Sequence, residues 1–268
     1  KSIGIPSILS SNIELKDHQL KIVTQILKDP VQRYLLADEV GLGKTIEACM
    51  ILKQFVMDYP NNHKTLIIVP PLLGYQWINE LKNKFQLVNN ETRNYDIVVL
   101  SYNQVEEIRD HLPSTKLLII DEAHNINSNN RLNLYDALKQ NIQRVDKLLL
   151  LSATPVYNNE RNYFDMLHLL DPLVYPQDDF KSFEKLIKNR QKLEETISSL
   201  RPENLNVMDD ILNDISTINS EDSNLNELIK KLKEKVLITF DEDDEDYLEK
   251  LNNLEKYLSE IYKLDRRI

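Results

Sequence analysis

Gly41 and Gly43, followed directly by Lys44 and Thr45, are residue types that together suit one task, holding a polyphosphate. The two glycines let the backbone pass close to phosphate oxygens with no Cβ in the way. A helix opening at Lys44 aims its unpaired N–H groups and its positive dipole end at those oxygens. Lys44 then supplies a point charge to the β- and γ-phosphates, and Thr45 a hydroxyl to Mg²⁺. Asp38, Val40 and Leu42 complete the loop. Further on, Asp121-Glu122-Ala123-His124 and Ser152-Ala153-Thr154 each follow an apolar run. Two adjacent carboxylates where a strand ends suit metal-assisted attack by water, with Asp121 holding Mg²⁺ and Glu122 orienting and deprotonating the water. Singly, each segment has a plainer reading: a glycine turn, an acidic helix cap, or a Ser/Thr/Pro helix entry. Together they imply a nucleotide-driven motor.

Those residues need elements to position them. Tyr34–Ala37, Leu66–Val69, Ile97–Leu100, Leu117–Ile120 and Leu148–Leu151 are short apolar runs without strict alternation, as expected of strands buried on both faces. Between them, Thr45–Asp58, Leu72–Phe85 and Arg131–Gln140 carry helical periodicity. The alternation predicts an α/β fold, a doubly wound and mostly parallel sheet. Each run leads into a candidate segment: Asp38–Thr45, Pro70-Pro71, Ser101-Tyr102, Asp121–His124 and Ser152–Thr154. All would lie along the carboxyl edge of the sheet, where open α/β folds bind ligands.

After Asp171-Pro172 the strand signals stop, which divides the chain into residues 1–172 and 173–268. Helical spacing links Phe180, Phe183, Ile187, Leu193, Ile197 and Leu200, and again Leu225, Leu228, Leu232 and Val236. Tyr247, Leu251, Leu254, Leu258 and Ile261 follow a 4-3-4-3 seam, and Met208, Ile211 and Ile215 mark a further helix. The second part therefore reads as an antiparallel helical bundle, with Asp241–Asp246 as an acidic helix start.

Charge divides at the same place. Residues 1–170 carry 18 Lys+Arg against 19 Asp+Glu, and residues 171–268 carry 15 against 24. Bulk charge permits a nucleic-acid surface on the first part, while phosphate backbones repel the second. Cys49 is the only cysteine, so no intrachain disulfide forms; its place after the loop predicts a buried packing residue. No apolar stretch approaches the length of a membrane span, and a cytoplasmic protein without a membrane partner is expected. The chain opens at Lys1 and ends at Arg267-Ile268, and reads as a piece of a longer protein.

The loop departs from G-x-x-x-x-G-K-[ST] by placing Asp38 where the first glycine belongs. Asp-Glu-x-Gly-Leu-Gly-Lys-Thr resembles the form found in Swi/Snf-type superfamily 2 motors, with their RecA-like, P-loop first lobe. The resemblance spans residues 15–172, through Asp17-His18-Gln19, Asp38–Thr45, Val69-Pro70, Ser101-Tyr102, Asp121–His124 and Ser152–Pro155. Gly43–Ala48, Leu170-Asp171-Pro172 and the helical segment that follows are most similar to the bacterial RapA-like branch, pointing to a bacterial or archaeal source.

The resemblance implies ATP and Mg²⁺ as ligands and a DNA-stimulated ATPase that translocates along double-stranded DNA and displaces bound proteins. It adds Gln19 as the adenine-reading amide, a group that offers donor and acceptor together. It makes His124, Ser152 and Thr154 a coupling link that senses the γ-phosphate. It places Pro70, Gln76, Ser101 and Tyr102 against the DNA backbone, where contacts position without reading sequence. Trp77 has two readings, a stacking platform or core packing. A second motor lobe of the same polypeptide, with arginine fingers typically worth roughly 10³–10⁵ in turnover, should begin near Arg266, so these 268 residues alone should hydrolyse ATP very slowly. The bundle reads as a lever between lobes, a passive brace or a docking surface for a protein partner. Two other functions stay open: a strand-separating helicase or restriction- or defence-type motor, and an ATP-gated scaffold that does not translocate.

Overall fold

The computed structural model describes residues 16–37, 43–88, 96–126, 132–153, 160–218, 222–239 and 241–261. The chain divides into two compact units, the first running to Asp178 and the second beginning at Asp179.

The first unit is built on α1 (Asp17–Lys28), β1 (Arg33–Leu36), α2 (Lys44–Asp58), β2 (Thr65–Val69), α3 (Gly74–Asn83), β3 (Ile97–Ser101), α4 (Val105–His111), β4 (Leu117–Ile120), α5 (Leu132–Asn141), β5 (Lys147–Leu151) and α6 (Glu160–Leu170). All five strands are parallel, in the order β1-β5-β4-β2-β3. Chain order thus steps outward from β1 to β2 and β3 and returns through β4 to β5, so the fold is α/β with a parallel sheet, as the alternating pattern requires. The inner strands explain the apolar runs: every residue of β2 and β4 is buried, whereas β3, at an edge, alternates partly.

Helix α2 differs from its neighbours. Ala48 to Leu52 are consecutive and at most 1% exposed, so this helix is covered on all sides and packs against α1 and β5. The helix that leaves the phosphate loop is therefore held by the core cluster that also contains Met50, Ile67, Ile119 and Leu149. Cys49 lies within it, and burial raises its thiol well above the usual range, which suits an inert packing residue.

At the opposite rim Arg33 ties an edge strand to α6. Its guanidinium donates to the carbonyl oxygens of Leu169 and Leu170, each at 2.7 Å, and to that of Val145 at 2.8 Å. The terminal carbonyls of α6, which no helical N–H can reach, are satisfied this way.

The second unit consists of α7 (Phe180–Ser198), α8 (Met208–Ile218), α9 (Ser223–Val236) and α10 (Glu245–Ile261). Its core gathers Leu200, Met208, Leu212, Ile215, Leu225, Ile229, Leu232, Tyr247, Leu251, Leu254 and Leu258, each 4% exposed or less. Of the seam expected from Tyr247 to Ile261, Tyr247, Leu251, Leu254 and Leu258 form the buried stripe of α10, and the side chain of Ile261 lies outside the described residues. Asp222 caps α9 by accepting from Leu225 N, and Asp244 accepts from Tyr247 N at the start of α10.

Candidate functional site

Each candidate segment within the described residues leaves the same rim, and backbone hydrogen bonds carry the sheet one residue beyond the strands there. Ser152 N donates to Leu36 O, Asp121 N to Ile68 O and Tyr102 N to Val69 O, all at 2.9–3.0 Å. Parallel pairing thus puts Gly43-Lys44, Pro70, Ser101-Tyr102, Asp121–His124 and Ser152 along one edge. Asp38, Val40, Gly41, Leu42 and Thr154 lie outside the described residues.

Gly43 caps α2 at φ 95°, in the left-handed region, and being glycine it brings no side chain to cap the helix start. The turn calls for glycine, and a Cβ at Gly43 would in addition push the Gln19 amide nitrogen aside. Gln19 is buried, and its Oε1 accepts from Lys16 N at 3.1 Å. An uncapped start to a 15-residue helix, with Lys44 and Thr45 in its first turn, fits a polyphosphate ligand.

Asp121 is 7% exposed. Its Oδ2 accepts from Trp77 Nε1 at 2.7 Å and its Oδ1 from Glu122 N at 3.0 Å. Burial raises its pKa and the Glu122 charge adds to this; the Trp77 donor, the Glu122 N–H and the positive charge of Lys44 oppose the rise. Among the described residues no cluster of three metal-ligating side chains occurs. The Asp121 carboxylate and the Thr45 hydroxyl are oxygen donors of the kind Mg²⁺ takes together with phosphate oxygens and water.

Glu122 has φ 50°, an unusual backbone for a residue other than glycine, at a cost of about 1–2 kcal/mol. Its carbonyl is fastened by Asn125 N at 2.9 Å and by the Tyr102 hydroxyl at 3.0 Å, and the same hydroxyl donates to Asp121 O. The strained turn starts the short 3₁₀ segment Ala123–Asn125 and brings Glu122 back to His124. His124 Nδ1 stands 3.1 Å from Ser152 Oγ and 3.3 Å from Glu122 Oε2. Asn125 Nδ2 lies 3.0 Å from His124 Nε2; with the amide donating there, the imidazole proton sits on Nδ1, on the side of Ser152 Oγ. Asn162, on α6, donates to the carbonyl of His124 at 3.0 Å.

Tyr102 corrects an expectation. Its side chain is 0% exposed and its hydroxyl is committed to the Asp121 and Glu122 carbonyls, so it supports the acid pair and presents no surface to DNA. Gln76, by contrast, is exposed on the first turn of α3, while Pro70 and Ser101 are half-buried. Trp77 is core-packed, 1% exposed, yet its N–H reaches the site. Sequence reasoning gave Trp77 and Tyr102 no part in holding the acids, and missed Asn125 and Asn162. The one available signal was that a buried indole N–H or phenol must find an acceptor.

A family model described as the SNF2-related domain matches residues 17–264. The RNA polymerase-associated protein RapA of Yersinia enterocolitica is 32% identical, over 65% of this chain and 20% of that protein. The protein of the same name from Yersinia pseudotuberculosis gives the same identity and coverage. The chain thus spans about a fifth of the length of these curated relatives. The Sulfolobus solfataricus SWI2/SNF2 ATPase core in complex with double-stranded DNA has the same fold, with a TM-score of 0.57 at 18% identity over 93% of this chain and 59% of that one. The SWI2/SNF2 ATPase core domain from the same organism gives 0.53 at 22% identity, over 65% and 38%. The match along nearly the whole chain, together with the fold, places it in the SNF2-related domain family.

Proposed function

We propose that this chain is the ATP-binding lobe of a motor that translocates along double-stranded DNA and displaces proteins bound to it. What chiefly supports the reading is that the helix start at Gly43-Lys44, the Asp121-Glu122 pair and Ser152 share one edge of a parallel sheet. Gly43, Lys44 and Thr45 hold the triphosphate, Gln19 meets the adenine, and Asp121 with Thr45 holds Mg²⁺. The metal, when bound, neutralises charge developing on the transferred phosphoryl group. Glu122 orients the attacking water and takes its proton. His124 and Ser152 link that acid to the segment after β5, and Gln76, Pro70 and Ser101 offer positioning contacts to a DNA backbone. The duplex ligand is favoured by the archaeal core of the same fold, whose complex contains double-stranded DNA. Turnover and movement belong to the intact protein, with its second lobe.

Binding of a fluorescent ATP analogue to this chain, wild type against Lys44→Ala, tests the core of the reading. Loss of binding in the variant is expected; equal affinity would overturn it. In the intact protein Glu122→Gln should bind ATP and fail to hydrolyse it. Displacement of a triplex strand without separation of the duplex would identify a translocase, and duplex unwinding would replace that assignment with a helicase.

A further inference from the structure

The only tryptophan of the chain places its N–H on one oxygen of the buried acid. Trp77 belongs to the first turn of α3 and Asp121 follows β4, so the bond joins two elements 44 residues apart at the ligand-binding rim. Core packing alone asks only for ring volume, and phenylalanine would supply most of it. The N–H adds direction. With Trp77 on Oδ2 and Glu122 N on Oδ1, each carboxylate oxygen keeps one lone pair free of these donors, and the two donors fix the rotation of the carboxylate. A carboxylate without the indole would turn more freely and present its oxygens to a cation less consistently.

We propose that Trp77 is a positioning residue for the metal, its indole N–H holding the Asp121 carboxylate in the orientation that meets the Mg²⁺ of a bound nucleotide. This rests on the assignment of Asp121 as a metal-holding acid. The effect is specific to the cation, because the phosphate-holding groups Lys44 and Thr45 belong to α2 and make no bond with the indole.

Two measurements test it, one of which needs no substitution. With ¹⁵N labelling the protein gives a single indole N–H cross-peak. At saturating ADP that peak should move as Mg²⁺ is titrated in, and a peak that stays fixed would overturn the proposal. In Trp77→Phe the Mn²⁺ concentration for half-maximal binding at saturating ADP, read by electron paramagnetic resonance, should rise about tenfold, while affinity for metal-free ADP stays within about twofold. Because Trp77 acts through Asp121, adding Trp77→Phe to Asp121→Asn should weaken Mn²⁺ binding little further. An unchanged Mn²⁺ midpoint in Trp77→Phe, or full additivity in the double variant, would refute it. Where Trp77→Phe does not fold, the wild-type titration decides. If the wild type binds no nucleotide, the functional reading falls and takes this one with it; if it binds and Lys44→Ala does not, only the role of Trp77 is at stake.

Discussion

His124 Nδ1 lies 3.1 Å from Ser152 Oγ, a contact that joins the turn after β4 to the segment after β5. Glu122 Oε2 stands 3.3 Å from the same nitrogen. On the proposed role of Glu122, taking the proton of the attacking water would change the charge beside His124, which is how the pair would sense the state of the site. In the intact protein, His124→Ala should retain ATP affinity within about threefold. Coupling free energies of this kind are typically 1–3 kcal/mol, so DNA stimulation of turnover should drop roughly 5–150-fold. Ser152→Ala should reproduce the direction of the effect. Steady-state ATPase assays with and without duplex DNA decide the matter: an equal loss of basal and stimulated rates would indicate a role in chemistry and not in coupling.

Gly43→Ala should damage the site for two separate reasons. An alanine held at φ 95° costs about 1–2 kcal/mol, and its Cβ would displace the Gln19 amide. The expected result is a lower melting temperature and nucleotide affinity reduced by at least about tenfold. Calorimetric titration of ATP checks it. Undiminished affinity would mean that neither the turn nor the seat of Gln19 matters to binding.

Tyr102→Phe separates support of the acids from contact with DNA. Removing the hydroxyl deprives the Asp121 carbonyl of a buried donor and leaves the Glu122 carbonyl with Asn125 N. Stability should fall by roughly 1–3 kcal/mol, and the strained Glu122 turn should relax, slowing hydrolysis. Duplex affinity of the intact protein, measured by fluorescence anisotropy, should change less than about twofold, because the side chain is buried. A selective loss of DNA binding with normal stability would restore Tyr102 to the DNA track.

Legibility in the sequence followed the physics of each feature. Strands such as Leu117–Ile120 were readable because inner parallel strands are apolar on both faces, a purely local signature. Helix α10 was readable because Tyr247, Leu251, Leu254 and Leu258 recur along one face. Lys44, Asp121 and Glu122 stood out as candidates because the expected chemistry demands those residue types directly after a strand or a glycine turn. The hydrogen bonds of Trp77 and Tyr102 to Asp121 and Glu122 were hidden, since each depends on what lies beside it across the sheet, and strand order is a property of no single segment. Tyr102 was misplaced for that reason: position at the rim was legible, the direction of its side chain was not. Glu122 at φ 50° was equally invisible, because glutamate has no preference for the left-handed region.

In the second unit Asp244 carries a pH dependence whose sign is fixed by its partners. The Lys235 ammonium, 2.9 Å away, first, and the Tyr247 N–H second, lower its pKa to about 2. A carboxyl held below its unfolded value, about 3.9, stabilises the fold fully above that value. The contribution is lost as pH falls through about 2. Thermal unfolding of the helices, followed by circular dichroism, should therefore show a lower midpoint for Asp244→Asn than for wild type at pH 5. The two midpoints should converge as pH approaches 2, and the gap at pH 5 should shrink in high salt, because the ion pair is solvent-facing. A gap that stays constant from pH 5 to pH 2 would mean that Asp244 acts through the shape of its cap and not through its charge.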